Sequence, residues 1–119
     1  MILVSLLSNL AVQTAAELTP EQNLRAVALC VAVLEYPGAH PEADTARAAW
    51  RQVLSSVPQS DTESQHAAVD AHFETFNQTA QRSNSDGVRV ARALGTVAPN
   101  CLSAEGAERA ALRIGVGSQ

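Results

Sequence analysis

The sequence contains no lysine, so all eight of its cations are arginine. This is a compositional bias that supports no particular function. Aromatic residues are almost as scarce, being limited to Tyr36, Trp50, Phe73 and Phe76. Strands rich in aromatic and β-branched residues have little to draw on here, whereas alanine, the strongest helix former, is abundant. An all-α fold is expected. No uninterrupted apolar run approaches the roughly 20 residues of a membrane-spanning helix, so no stable membrane anchor is expected. There is no glycine-rich phosphate loop, no Cys-x-x-Cys-His, no His-Glu-x-x-His and no serine elbow flanked by glycines. With no catalytic constellation visible, the reading is non-enzymatic, with no cofactor and no metal.

The absence of charge is most pronounced at the start. Residues 1–16 hold no charged side chain and end in Thr14-Ala15-Ala16, just before Glu17. The apolar stretch from Ile2 to Val12 suits a secretory signal peptide, and the small residues after it suit peptidase cleavage following Ala16. A basic n-region is missing. The competing reading makes residues 2–12 the buried first helix of a cytosolic bundle, but Asn9 and Gln13 interrupt any long apolar stripe. The expected organisation is a cleaved signal peptide at 1–16, a helical bundle domain at 17–114 and a flexible tail at 115–119. The chain is then periplasmic or secreted and of bacterial type.

The net charge of -4 argues against nucleic-acid binding, which needs a basic surface. The charge is unevenly distributed. Nine acids face three arginines from Glu17 to Gln81, whereas five arginines face three acids from Arg82 onward. Such asymmetry can steer a charged partner, although a solvated surface with local helix pairs is the plainer reading.

Five helices are legible. Thr19-Pro20-Glu21-Gln22 combines an N-cap hydroxyl, proline at the first helical position and a capping-box glutamine. The body that follows, Ala26 to Leu34, is uncharged on every face and predicts a central helix over 20–36. Pro41 is expected to open a second helix to about Val57, with Ala43, Ala46, Trp50, Val53 and Val57 on one stripe. Ser60 and Glu63 can form a capping box for a third helix ending near Arg82, with Val69, Phe73, Phe76 and Ala80 inward. After the turn cluster Asn84-Ser85-Asp86-Gly87, a fourth helix presents Val90, Ala91, Leu94 and Val97 inward until Pro99 breaks it. Ser103 caps a fifth helix from Ala104 to about Ile114, in which Glu105 precedes Arg109 by four residues.

Cys30 and Cys101 are the only cysteines. In an oxidising compartment they make one structural disulfide, closing about seventy residues and contributing about 4 kcal/mol in the chain-entropy model. Of the histidines, His40 is expected to face solvent from its proline-flanked loop. His66 and His72 are six residues apart, on different faces of one helix, so they do not form a two-histidine metal site. His66 with Asp70 at i+4 can supply two ligands or an acid-base pair, but no third ligand is placed and an ordinary helix-face contact is the plainer reading; His72 is read as a hydrogen-bonded boundary residue. Asn77-Gln78-Thr79 matches a glycosylation sequon inside a helix and is discounted. Arg82, Arg89 and Arg92 are candidate contacts for an anionic partner.

The expectation is an all-α, five-helix bundle following an N-terminal signal peptide, held by one disulfide. Its expected role is non-catalytic: an exported protein acting through an unknown protein partner as an inhibitor, immunity protein or chaperone. The alternative is a carrier of a small apolar ligand in a core pocket lined by Trp50, Phe73 and Phe76. An enzyme built around His66 and Asp70 ranks third.

Overall fold

A computed structural model describes residues 18–115, all of them helix, turn or loop. The expected leader at 1–16 lies outside the described residues, as does the tail beyond Gly115. Five α-helices follow in order: α1 (Pro20–Glu35), α2 (Asp44–Ser55), α3 (Thr62–Arg82), α4 (Gly87–Val97) and α5 (Ala104–Arg113). A 3-10 turn, Pro99–Leu102, joins α4 to α5. No described helix is long and apolar enough to cross a membrane.

The start of α1 forms as its residues dictate. Thr19 Oγ1 accepts from the Gln22 amide at 3.1 Å, and Gln22 Oε1 accepts from the Thr19 amide at 2.9 Å, which satisfies two amides that the first turn leaves without helical partners. Because the body of α1 has no polar face, it can only be stable in the middle of the bundle. It packs against α2, α3, α4 and the 3-10 turn, and Val27, Ala28, Val31, Ala32, Val33 and Leu34 are all buried. Phe76 from α3 and Leu54 from α2 are buried alongside it, each worth about 2 kcal/mol of transfer free energy. Cys30 and Cys101 form a disulfide that ties α1 to the 3-10 turn.

Four expectations need correction. The second helix starts at Asp44 rather than Pro41, because residues 40–43 form a turn in which the Ala43 amide donates to His40 O at 3.2 Å. No side chain caps that helix. Instead the Arg47 guanidinium spans the gap, donating to Leu34 O at 3.3 Å and to the carbonyls of His40 and the Asp44 side chain. The third helix is capped by Asp61, whose carboxylate accepts from the Ser64 amide at 2.7 Å, while Ser60 Oγ turns back to Val57 O. Val97 is 79% exposed rather than inward, because α4 buries the i+4 ridge Gly87, Ala91 and Gly95 and Val97 falls outside it. His40 is buried, as described below.

The Asp61 cap gives the fold an acid-sensitive point. The Ser64 amide hydrogen bond lowers the Asp61 pKa below its ordinary 3.8. A carboxylate with a lowered folded pKa stabilises the fold above its unfolded value and loses that contribution as pH falls through the folded value. Melting temperatures measured between about pH 5 and about pH 2 should therefore fall less steeply in Asp61→Asn, whose amide oxygen still accepts but does not titrate.

Candidate functional site

A concave feature runs between α1 and α3. It is an open groove of about 730 Å³. The α3 wall is a second 3-4 stripe beside the core stripe and consists of Ser64, Ala67, Ala68, Ala71, His72 and Thr75. Opposite lie Pro20, Glu21, Leu24 and Arg25 of α1. Leu24 and the alanines make the floor apolar and shallow, because no side chain beyond a methyl rises from the middle of the α3 wall.

Three features fix the shape of this groove. His72 Nε2 lies 3.0 Å from Arg25 O, and since only an N–H can face a carbonyl, Nε2 carries the hydrogen and ties α3 to α1. The His72 ring also stacks on Phe76, with centroids 6.4 Å apart. At the other end, Gln59 lines the groove with φ of 62°, a left-handed conformation that costs a residue with a Cβ about 1 kcal/mol. One rim is closed by the Arg25–Glu21 ion pair at 3.6 Å. The sequence had marked His72 as a boundary residue but gave no weight to the alanines. Their 3-4 spacing alongside the Val69–Phe76 stripe was the available signal.

A second, smaller hollow of about 390 Å³ lies between α2 and α5, lined by Gln52, Val53, Ser56 and Glu108 among others. Neither concavity is lined by Trp50, Phe73 or Phe76. Phe73 and Phe76 instead pack around Tyr36, with ring centroids at 5.6 and 6.0 Å. Tyr36 O–H donates to Asn77 Oδ1, so the asparagine of the sequon is engaged within the fold. Trp50 is buried on α2, and its Nε1 has no hydrogen-bond partner.

His40 is the clearest departure from the sequence reading. Only 6% exposed, its ring enters the bundle and Nε2 donates to Ala91 O at 3.2 Å. A Cβ on Gly95 would lie 2.8 Å from the ring, so the glycine makes room for it. His66 and Asp70 are both exposed on α3. Among the described residues no three His, Cys, Asp or Glu side chains are grouped to hold a metal ion.

Arg82 ends α3, and Arg89 and Arg92 lie one turn apart on α4; all three are exposed. No family model matches the chain, and no curated protein or solved structure matches it.

Proposed function

We propose that the protein is a non-catalytic interaction protein of an oxidising compartment that receives an amphipathic helix of a partner protein in the α1–α3 groove. The observation that carries this reading is the groove's form: two helices for walls, a methyl-lined floor and no side chain filling it. Helix-in-groove recognition needs such a trough, and small floor residues let a third helix axis approach to the short end of the usual 8–10 Å spacing. From Ser64 to Thr75 the α3 wall is about 16 Å long, enough for three turns of a bound helix. Support for export comes from the uncharged, apolar segment ending at Ala16 and from the disulfide, which is characteristic of oxidising compartments. An inhibitor, an immunity protein and a chaperone would each use such a contact.

A photo-crosslinking residue at Ala67, in the full chain expressed in its native host, tests the proposal. The expected product is a covalent adduct to one protein through a helical, amphipathic segment identified by mass spectrometry, on a chain whose intact mass begins at Glu17. Ala71 is exposed, so Ala71→Trp fills the groove and should cut that adduct at least about tenfold while the melting temperature barely moves. The interaction reading fails if no adduct forms at Ala67, or if Ala71→Trp leaves the yield unchanged. A mass that retains residues 1–16 overturns the export reading alone.

A further inference from the structure

The arginines divide into two sets. Arg25, Arg47, Arg51 and Arg109 each pair with a carboxylate, namely Glu21, Asp44, Glu35 and Glu105. Arg82, Arg89, Arg92 and Arg113 are exposed and make no ion pair with any described residue. Among the carboxylates, Asp61, Asp86 and Glu108 are exposed without an ion pair to a described residue, and α3 carries three more. Glu63, Asp70 and Glu74 are exposed on α3 and also lack an ion pair with any described residue; Glu74 only accepts a 3.4 Å hydrogen bond from Gln78.

Their spacing organises them. Steps of seven and then four residues bring Glu63, Asp70 and Glu74 to nearly the same angle on α3, as one acidic stripe. Arg89 and Arg92 lie one turn apart on α4, on the side away from its buried ridge. The two helices are consecutive in sequence and packed together, joined by the short turn at 83–86. The stripe from Glu63 to Glu74 is about 16 Å long, and Arg89 and Arg92 cover one turn, about 5 Å, of α4. An acidic strip and a shorter basic strip therefore lie on neighbouring helices of one molecule, and among the described residues they make no ion pair with each other.

We infer that this face is self-complementary and joins two copies of the chain across a two-fold axis. In that arrangement α4 of each copy lies over the α3 stripe of the other, so every contact occurs twice. The opposite register would set like charges against each other and is excluded by repulsion. Val97, 79% exposed at the end of α4, adds apolar area to an otherwise charged contact. Because exposed ion pairs are individually weak, the dimer is a transient, salt-sensitive one. It uses a face of α3 about a quarter turn from the groove.

Sedimentation of the full chain over a concentration series tests this. The dimer dissociation constant should rise at least about tenfold between about 50 mM and about 500 mM salt, as the Debye length shortens. Arg89→Glu with Arg92→Glu should give a monomer with unchanged helical circular dichroism. Adding Asp70→Arg and Glu74→Arg to the same chain exchanges the two strips and should restore the dimer. Mixing the Arg89→Glu, Arg92→Glu protein with an Asp70→Arg, Glu74→Arg protein should give a heterodimer, which keeps the test decisive if the fourfold variant folds poorly. A wild-type chain that stays monomeric at low salt and millimolar concentration overturns the inference, as does a well-folded exchanged chain that fails to dimerise. Ala67 adjoins Glu63 and Asp70 on α3, so an Ala67 adduct to a second copy of the chain reports this dimer, whereas an adduct to another protein reports the groove.

Discussion

Replacing both Cys30 and Cys101 by alanine should lower stability by about 4 kcal/mol, because their bond removes entropy from the unfolded chain in proportion to the logarithm of the loop it closes. The two residues are separated by 71 positions, most of the described domain. For a domain of this size that corresponds to a fall in melting temperature on the order of 20 °C. Thermal melts of the double variant, and of the native protein with and without reductant, measure it. A drop of only a few degrees would mean that the core alone holds the bundle. The effect should be large because the bond joins the most buried helix to the 3-10 turn, two elements that no continuous helix or short loop otherwise connects.

Gly106→Ala should cost about 3 kcal/mol, at the upper end for overpacking a rigid site. A Cβ there would lie 2.1 Å from Asn100 O and 2.9 Å from its carbonyl carbon, and backbone atoms cannot swing aside as a flexible side chain can. Three contacts hold the obstacle in place. Ser103 Oγ accepts from the Gly106 amide at 2.9 Å, the Ser103 amide donates to Asn100 O at 3.4 Å, and Arg109 donates to Asn100 Oδ1 at 3.0 Å. Urea unfolding gives the loss directly. A cost below about 1 kcal/mol would show that the 3-10 turn can move away from α5.

The features legible in the sequence are those decided within four residues or by elimination. Thr19 with Gln22, and Ser103 with its following turn, cap helices through contacts that the spacing already contains. Cys30 had only one possible partner. The alternation of apolar residues found Trp50, Val53, Val69 and Phe76 because a helix repeats every 3.6 residues wherever it packs.

What escaped was decided by distant neighbours. His40 reads as a solvent-facing loop residue until Ala91 O and the space left by Gly95, some fifty positions away, are brought to it. The α3 cap moved from Ser60 to Asp61 because Gln59 takes a left-handed turn and redirects the serine hydroxyl. Pro41 looked like a helix start, yet Arg47 claims the carbonyls of Leu34 and His40 and so fixes the loop before α2. The groove was hidden for a related reason. Ala67, Ala68 and Ala71 suit an outer face or an inner one equally well, and only the position of α1 decides between them.

The deep burial of Trp50 provides a spectroscopic reporter. It is the only tryptophan in the chain, it lies in the α2 stripe, and it borders neither the α1–α3 groove nor the charged face of α3 and α4. An indole without a hydrogen-bond partner, held away from water, emits at short wavelength and shifts to the red once solvent reaches it. Its fluorescence therefore follows unfolding of the bundle and stays silent to events on either proposed surface, so loss of structure in any surface variant can be told apart optically from loss of binding.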